Sequence, residues 1–471
     1  MRASYSIAIG VSAALLAGCT VGPNYKRPQV AVPPNFRAPS PLPTPEAASL
    51  ADLKWFEVFR DSQLQDLIRT ALAQNYDLRD AVTRVDEARA NLGVTRSSQF
   101  PQLSASGSMN FTRLSRGAYA IPSSVPINQD INYGQAGLNL LSYQIDLWGQ
   151  LRRATEAARA NLLSADWNRK NVVTTVVSQV AANYFQLLEL DSELAISQEA
   201  LATRQDSLRL TRDRQTHGIA TLLDVRQAEQ LVDTAAVSIP QLKQQIEQTE
   251  DAVSLLLGKN PGGVQRARRF DEEYVPPEIP AGLPSSLLER RPDIHAAEAS
   301  LVAANANIGV AKAAFFPQIS LTGSIGGESS TLANLFSGPN RAWSFVPQIT
   351  QPIFTAGRLK SNLRLARAEY DQAQVAYEKS IQTAFQQVSD ALIAHQRTGE
   401  ARLEQANLVE ALGDRKRLAY ARYQGGVDTQ LNALDADRDL LAAQLTLAQI
   451  RYSELVSVVQ LYQALGGGWQ E

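Results

Sequence analysis

The chain carries an internal copy of itself. Residues 88–108 align without a gap on residues 304–324, and eleven of the 21 positions are identical, among them Ala88/Ala304, Asn91/Asn307, Gly93/Gly309, Val94/Val310, Phe100/Phe316 and Pro101/Pro317. Unrelated sequences of ordinary composition would share about one. The copy continues at a slightly shorter spacing: Gly149 pairs with Gly357, Leu151 with Leu359, Arg159 with Arg367, Gly218 with Gly426 and Gly258 with Gly466. A period of about 200 residues is far beyond the ~20–50 residues of solenoid repeats. One structural unit has been duplicated and fused, and each half is expected to do the same mechanical job.

The start of the chain is the second constraint. Met1–Arg2 is basic, Ile7–Leu16 is apolar, and Leu16-Ala17-Gly18-Cys19 follows at once. Residues 1–18 have the form of a secretory signal, too short for a spanning helix. It ends in a bacterial lipobox, so Cys19 is expected to become the lipidated N-terminus. Cys19 is also the single cysteine, which leaves no disulfide framework and no thiolate metal site. The three acyl chains of a bacterial lipoprotein, at about 0.8 kcal/mol per buried methylene, anchor firmly. Thr20 follows the cysteine where an aspartate would signal inner-membrane retention, so the outer membrane is the expected location.

Composition excludes several classes. With 45 Lys+Arg against 47 Asp+Glu, nothing in the charge calls for nucleic acid or an anionic surface. After the signal no apolar run reaches the ~18 residues of a membrane helix. That does not exclude a barrel, whose strands carry a much weaker signal.

Residues 19–60 form a lipid-anchored segment whose stretch 23–45 holds eight prolines, which predicts an extended leash and no packed element. The first repeat, residues 61–258, opens on a helix from about Gln63 to Ser98, with Leu64, Leu67, Ile68, Ala71 and Leu72 on one face. It stops at Phe100-Pro101, because the residue before proline is pushed out of the helical region. There the period changes to two: Leu103, Ala105, Gly107, Met109 and Phe111 alternate with Ser104, Ser106, Ser108, Asn110 and Thr112. The length and the hydroxyl-rich second face fit a membrane-barrel strand over about 101–112, followed by a return strand over about 133–147. A soluble hairpin with one wet face would show the same pattern. The second repeat, residues 285–466, copies it with strands over about 317–326 and 343–354. Pro101, Gly149, Pro317 and Gly357 mark the helix–strand junctions.

After Gly149 the sequence is helical to about Thr216 without Pro or Gly, and its counterpart runs from Gly357 to about Gln424. Rods of roughly 100 Å, at 1.5 Å per residue, cannot fold a globular core alone and must pack beside other helices. Each ends in a short turn, Gly218–Thr221 and Gly426–Thr429, before a shorter return helix. Residues 259–284, with prolines and glycines throughout, are expected to be an external linker, and 467–471 a C-terminal tail. Four strands cannot close a membrane barrel, since single-chain bacterial barrels begin at about eight, and open edges are not tolerated in lipid. Three chains would supply twelve strands, so strand counting implies a homotrimer.

At this point the residues resemble a family. Leu16-Ala17-Gly18-Cys19 with Gly22-Pro23-Asn24-Tyr25, Trp55-Phe56 with Asp61 and Leu64, Asp146-Leu147-Trp148-Gly149, Arg290-Arg291-Pro292-Asp293-Ile294 with Ala297-Glu298, Phe316-Pro317, and Pro352-Ile353-Phe354-Thr355-Ala356-Gly357 are similar to motifs of the TolC-like outer-membrane factors. Within them the chain resembles the NodT-type lipoprotein branch of RND multidrug efflux systems, over essentially its whole length. The resemblance implies a mainly α fold with a β-barrel portion. In it a duplicated helix-strand-strand-helix repeat forms, as a trimer, a 12-stranded outer-membrane barrel continued by a long helical barrel across the periplasm. It implies as partners a periplasmic adaptor and, through it, an inner-membrane RND pump, with drugs or other small toxic molecules as cargo.

The resemblance also points to a gate at the helix turns. Tyr423 keeps the family's tyrosine three residues before the turn glycine, and Asp435 matches the second of two inward aspartates. Asn432 departs from the first, and Asp224 occupies the equivalent place in the first repeat. A ring of carboxylates at a constriction repels anions and attracts cations. Solvated helix-start aspartates, favoured by the helix dipole, would look the same in sequence. Gly218, Thr221, Gly426 and Thr429, at the ends of the rods, are the expected adaptor-docking tips.

Chemistry is otherwise sparse. His217, His295 and His395 stand in different elements, His295 and Glu298 read as a helix-face pair, and Asp271-Glu272-Glu273 reads as a solvated linker run. HExxH, phosphate-loop, GxSxG and CxxC motifs are absent, so no cofactor, metal site or catalytic constellation is expected. Glutamine- and serine-rich helix faces suit a wet tunnel wall. The leading reading is a passive exit duct driven by a partner. A pore-less lipid-anchored periplasmic scaffold would not need hydroxyl-alternating strands, and a duct for secreted proteins fits the efflux-branch motifs less well.

Overall fold

The computed structural model describes residues 20–38, 49–115, 125–266, 282 and 284–469. The signal, Cys19 and Asp271-Glu272-Glu273 lie outside the described residues. The duplication is visible as equal lengths. Helix α1 (Ser62–Gln74) leads into α2 (Tyr76–Ser97), strands β1 (Leu103–Arg113) and β2 (Asp130–Ile145), and helices α3 (Gln150–Thr216) and α4 (Leu222–Leu256). The second half repeats the order as α5 (Pro292–Ala313), β3 (Gln318–Ser329), β4 (Arg341–Thr350), α6 (Arg358–Gln424) and α7 (Gln430–Ala464). α2 and α5 both have 22 residues, α3 and α6 both 67, and α4 and α7 both 35.

The chain divides into two compact units. The first comprises residues up to Pro28, 85–165 and 297–377, and contains the sheet. The four strands pair antiparallel in chain order, β1-β2-β3-β4. Their register carries the alternation of one strand across all four. Ala105, Leu138, Ile325 and Trp343 make one apolar rung, and Leu103, Leu140, Gly323 and Phe345 another. The rung between them, on the opposite face, is Ser104, Asn139, Ser324 and Ser344, with the Ser324 and Ser344 hydroxyls 2.8 Å apart. β4 ends at Thr350, short of the expected 354, because its partner β3 begins only at Gln318, after Pro317. Ile353 and Phe354 beyond it are 96% and 88% exposed.

The N-terminal leash is not loose where it is described. Val21 N–H donates to Trp148 O at 3.0 Å, and Asn305 Nδ2 to Pro23 O at 3.0 Å. Arg153 donates to Asn24 Oδ1 at 2.7 Å, and Tyr25 and Arg27 both engage Glu298, at 3.1 and 3.0 Å. A Cβ on Gly22 (φ +116°) would lie 2.5 Å from Gly309 Cα, so two backbones cross where only glycines fit. Proline content gave no sign of this docking, because the partners, Trp148 and Arg153 of the first repeat and Asn305 and Glu298 of the second, lie far off in the chain.

The second unit holds residues 29–84, 166–296 and 378–471. The single helix expected from Gln63 to Ser98 is two. Asn75 breaks it in an extended conformation, its side-chain oxygen caps the next helix at Leu78 N–H (2.9 Å), and its amide donates to Leu256 O (2.9 Å). At the start of α1, both oxygens of buried Asp61 are used: Oδ1 takes the Gln63 and Leu64 N–H groups at 2.8 and 3.3 Å, and Oδ2 takes the Tyr184 hydroxyl at 2.8 Å. That is the N-cap geometry.

The linker and tail are likewise partly docked. Arg266 meets Glu250 at 2.8 Å and Asp191 at 2.9 Å, which ties residues 261–266 to α4 and α3. Trp469 stands edge-on to Trp167 at 5.7 Å, and the Lys170 ammonium lies 3.8 Å from the Trp167 ring centre.

Candidate functional site

Both helix turns are built alike. α3 ends with Gly218 at φ +73° and Ile219 N–H closing onto Arg214 O at 2.8 Å; α6 ends with Gly426 at φ +74° and Val427 N–H closing onto Arg422 O at 3.1 Å. This is a left-handed glycine cap, which returns the chain sharply enough to start an antiparallel helix. The turns present apolar side chains to water: Ile219, Leu222 and Leu223 on the first, Val427 and Leu431 on the second.

The two turns differ in their polar wiring. At the first, Thr221 and Asp224 form a capping box, the carboxylate taking Thr221 N–H at 2.7 Å and its hydroxyl at 2.8 Å. At the second, Thr429 makes no side-chain cap. Asp428 takes that place, accepting from Arg422 at 3.0 Å, Thr429 N–H at 2.8 Å and Asn432 Nδ2 at 2.7 Å. Those donors hold the Asp428 carboxyl below the usual carboxylate range, Arg422 first. Asn432 thus serves the turn. Asp435, half-buried, pairs with Arg438 at 3.0 Å, and the Arg214 guanidinium sits 4.6 Å from the centre of the Tyr423 ring.

A charge cluster behind the turns was not legible in the sequence. Asp437 and Arg204 have side chains only 2% and 3% exposed and meet at 2.8 Å. Lys416 reaches the other Asp437 oxygen at 2.6 Å, and Arg204 also donates to Leu231 O at 3.1 Å. One carboxylate and two cations therefore join α3, α4, α6 and α7. Gln430, another polar residue of α7, is buried against Thr211 at 2.8 Å. Polar helix faces expected to line a tunnel are in part interior seams of the second unit, because long polar side chains satisfy one another between helices. His295 and Glu298 go separate ways. His295 stacks on Trp167 at 4.3 Å, while Glu298 serves Tyr25 and Arg27.

An antiparallel sheet with apolar and hydroxyl faces, two edges without a partner strand among the described residues, and two 67-residue helices define a membrane channel subunit of the barrel-and-helix class. The sequence profile described as outer membrane efflux protein matches residues 67–259 and 283–467, once in each repeat, and the chain belongs to that family. The antibiotic efflux pump outer membrane protein ArpC of Pseudomonas putida is 40% identical, covering 99% of this chain and 96% of that one. The cation efflux system protein CusC of Escherichia coli is 36% identical over 97% of both chains. A CusC crystal structure described by its transmembrane channel formation superposes with a TM-score of 0.85, at 35% identity, over 96% of this chain and 100% of that one. The probable outer membrane lipoprotein SilC of Salmonella typhimurium is 35% identical over 97% of both. The protein is an outer-membrane channel component of an efflux system, and of the readings open in the sequence the exit duct is the one that holds.

Proposed function

We propose that three copies close the sheet into a 12-stranded barrel, continued by their helices into a periplasmic conduit. Through it, drugs, solvents or metal ions pass to the outside, driven by an adaptor-coupled RND pump. The observation that carries the reading is the pair of free edges. Among the described residues β1 and β4 have no strand on their outer sides, and β4 is exposed along its whole length. In lipid, unpaired strand edges cost several kcal/mol for each unsatisfied group. Pairing β4 of one copy with β1 of the next satisfies both and also gives Ile353 and Phe354 a surface to cover them.

Cys19 is the lipid-bearing residue on this reading. Its neighbour Thr20 lies against Gly149, between β2 and α3, where a Cβ would come within 2.8 Å of it, so the strap would deliver the acyl chains beside the barrel rim. Intact-mass measurement of the solubilised complex tests both points. Three chains are expected, each beginning at Cys19 and bearing acyl groups; a stable single chain that keeps its sheet would sink the closure argument.

The cargo of relatives named for antibiotics and for cations indicates a duct of broad tolerance, with selection left to the pump. The apolar tips around Gly218, Thr221, Gly426 and Thr429 receive the adaptor, and Tyr423 and Asp435 narrow the lumen between them. Asp224, occupied by its capping box, contributes less. Asp435→Ala is expected to raise single-channel conductance in planar bilayers and weaken block by multivalent cations, with Asp224→Ala close to wild type. Unchanged conductance in the Asp224→Ala/Asp435→Ala double variant would assign both to ordinary helix-start positions.

A further inference from the structure

The seam between the repeats carries a ladder of polar side chains. Inside the first repeat, α3 and α4 meet through Leu208, Val225 and Ala228, with Val232 packed on them. Between α3 and α7 run three polar contacts: Thr211 with Gln430 at 2.8 Å, Arg204 with Asp437 at 2.8 Å, and Glu193 with Gln449 at 2.9 Å. These rungs follow one antiparallel register, each step toward the start of α3 matched by a step toward the end of α7.

The last rung carries an uncompensated charge. Glu189, one turn before Glu193 on α3, is 6% exposed and Glu193 is 8%. Asp437 has two cations against it, but neither glutamate is ion-paired to a lysine, arginine or histidine among the described residues. The neighbouring titratable groups are otherwise engaged. Asp191 is held by Arg266, which also holds Glu250 of α4. On α7, Glu454 pairs with Arg402 of α6 at 2.8 Å, and His395 of α6 meets Ser457 at 3.2 Å. Tyr452 of α7 feels the Glu189 charge, and the amide of Gln449 offers Glu193 a neutral donor.

Two adjacent buried carboxylates without a cation cannot both stay ionised, because desolvation and mutual repulsion both favour taking up a proton. We propose that the α3/α7 seam carries a proton-operated fastening, in which Glu189 and Glu193 share one proton and the rung loosens when it is lost. Burial, and then the Glu193 charge, pushes the Glu189 carboxyl up to about 8 from the 4.5 of a free glutamate. The sign follows from linkage. The closed rung holds its proton more tightly than the open one, so the fastening is complete below the open-state value. It weakens as pH rises and has lost its pH-dependent part above the closed-state value. The rung is therefore fastened under mildly acid conditions and loosened under alkaline ones.

Amide hydrogen exchange on the full-length solubilised protein, corrected for intrinsic rates, tests this rung by rung. In the wild type, opening around Glu189, Glu193 and Gln449 is expected to rise up to about tenfold per pH unit between about pH 5 and 8, then level off. Segments around Arg204 and Asp437 serve as the internal reference and should not follow. Glu189→Gln, a neutral isostere, should remove the slope and keep protection at its acid level. Glu193→Gln, which leaves Glu189 without a charged neighbour, should flatten it in part, and covers the case in which the first variant fails to assemble. A wild-type rung with no pH slope of its own, or a slope that persists in both variants, would overturn the proposal.

Discussion

Asp437→Ala is expected to destabilise the helical unit by about 3–5 kcal/mol, the range for removing one partner of a buried ion pair. The substitution deletes more than an attraction. It leaves Arg204, almost wholly inaccessible, with a guanidinium that has lost its carboxylate, and Lys416 with no anion at that site. Removing Arg204 and Asp437 together should cost less, since an apolar replacement of similar volume can match a buried pair and leaves only the partly exposed Lys416 to be rehydrated. Arg204→Met/Asp437→Leu is accordingly expected to recover a large part of the loss. Thermal unfolding of the solubilised protein reads this, as a fall in midpoint of order 10 °C for the single variant. A single variant within a degree or two of wild type would mean that the cluster is wet, not buried.

Valine at both Gly218 and Gly426 is expected to abolish export while leaving assembly and membrane insertion intact. The two glycines have φ of +73° and +74°, and a Cβ at either would meet nothing within 4 Å. The penalty is thus backbone strain of about 1–2 kcal/mol per site, with no steric clash against a neighbour. That is too little to unfold helices of this length but enough to reopen the turns. Reopening moves Ile219, Leu222 and Val427, the exposed apolar residues on which the proposed adaptor docking would rest. Drug susceptibility of a strain depending on this channel, beside its abundance in the outer membrane, gives the readout. Full resistance with both glycines replaced would put docking elsewhere on the helices.

Much of this architecture could be read directly from the residue order. The duplication, the change of period at Pro101 and Pro317, and the lengths of the rods are local or repeated signals, and the structure returns them as helix pairs of equal length. The break at Asn75 escaped, because an asparagine inside an amphipathic stretch announces itself only when its amide finds Leu256 across the unit. The strap's docking escaped for the same reason: Asn305 and Glu298 lie in the other repeat, and Gly22 meets Gly309 only once the chain is folded.

The site divides along the same line. The turn glycines were legible, since a left-handed cap after a long helical run is a local requirement. Which aspartates are free was not. Asp224, Asp428, Asp435 and Asp437 are four similar residues near two helix starts; the first three are engaged by neighbours within six residues, as a capping box, a turn clamp and a half-buried pair, and only the fourth, a buried anion, depends on a partner from the other repeat. By itself the sequence determined the repeat, the element types and the need for more than four strands, because hydrophobic period and backbone preference are short-range properties. The tertiary structure alone decided which polar groups are buried and with whom, because a charge is stabilised by partners that the chain brings from hundreds of residues away.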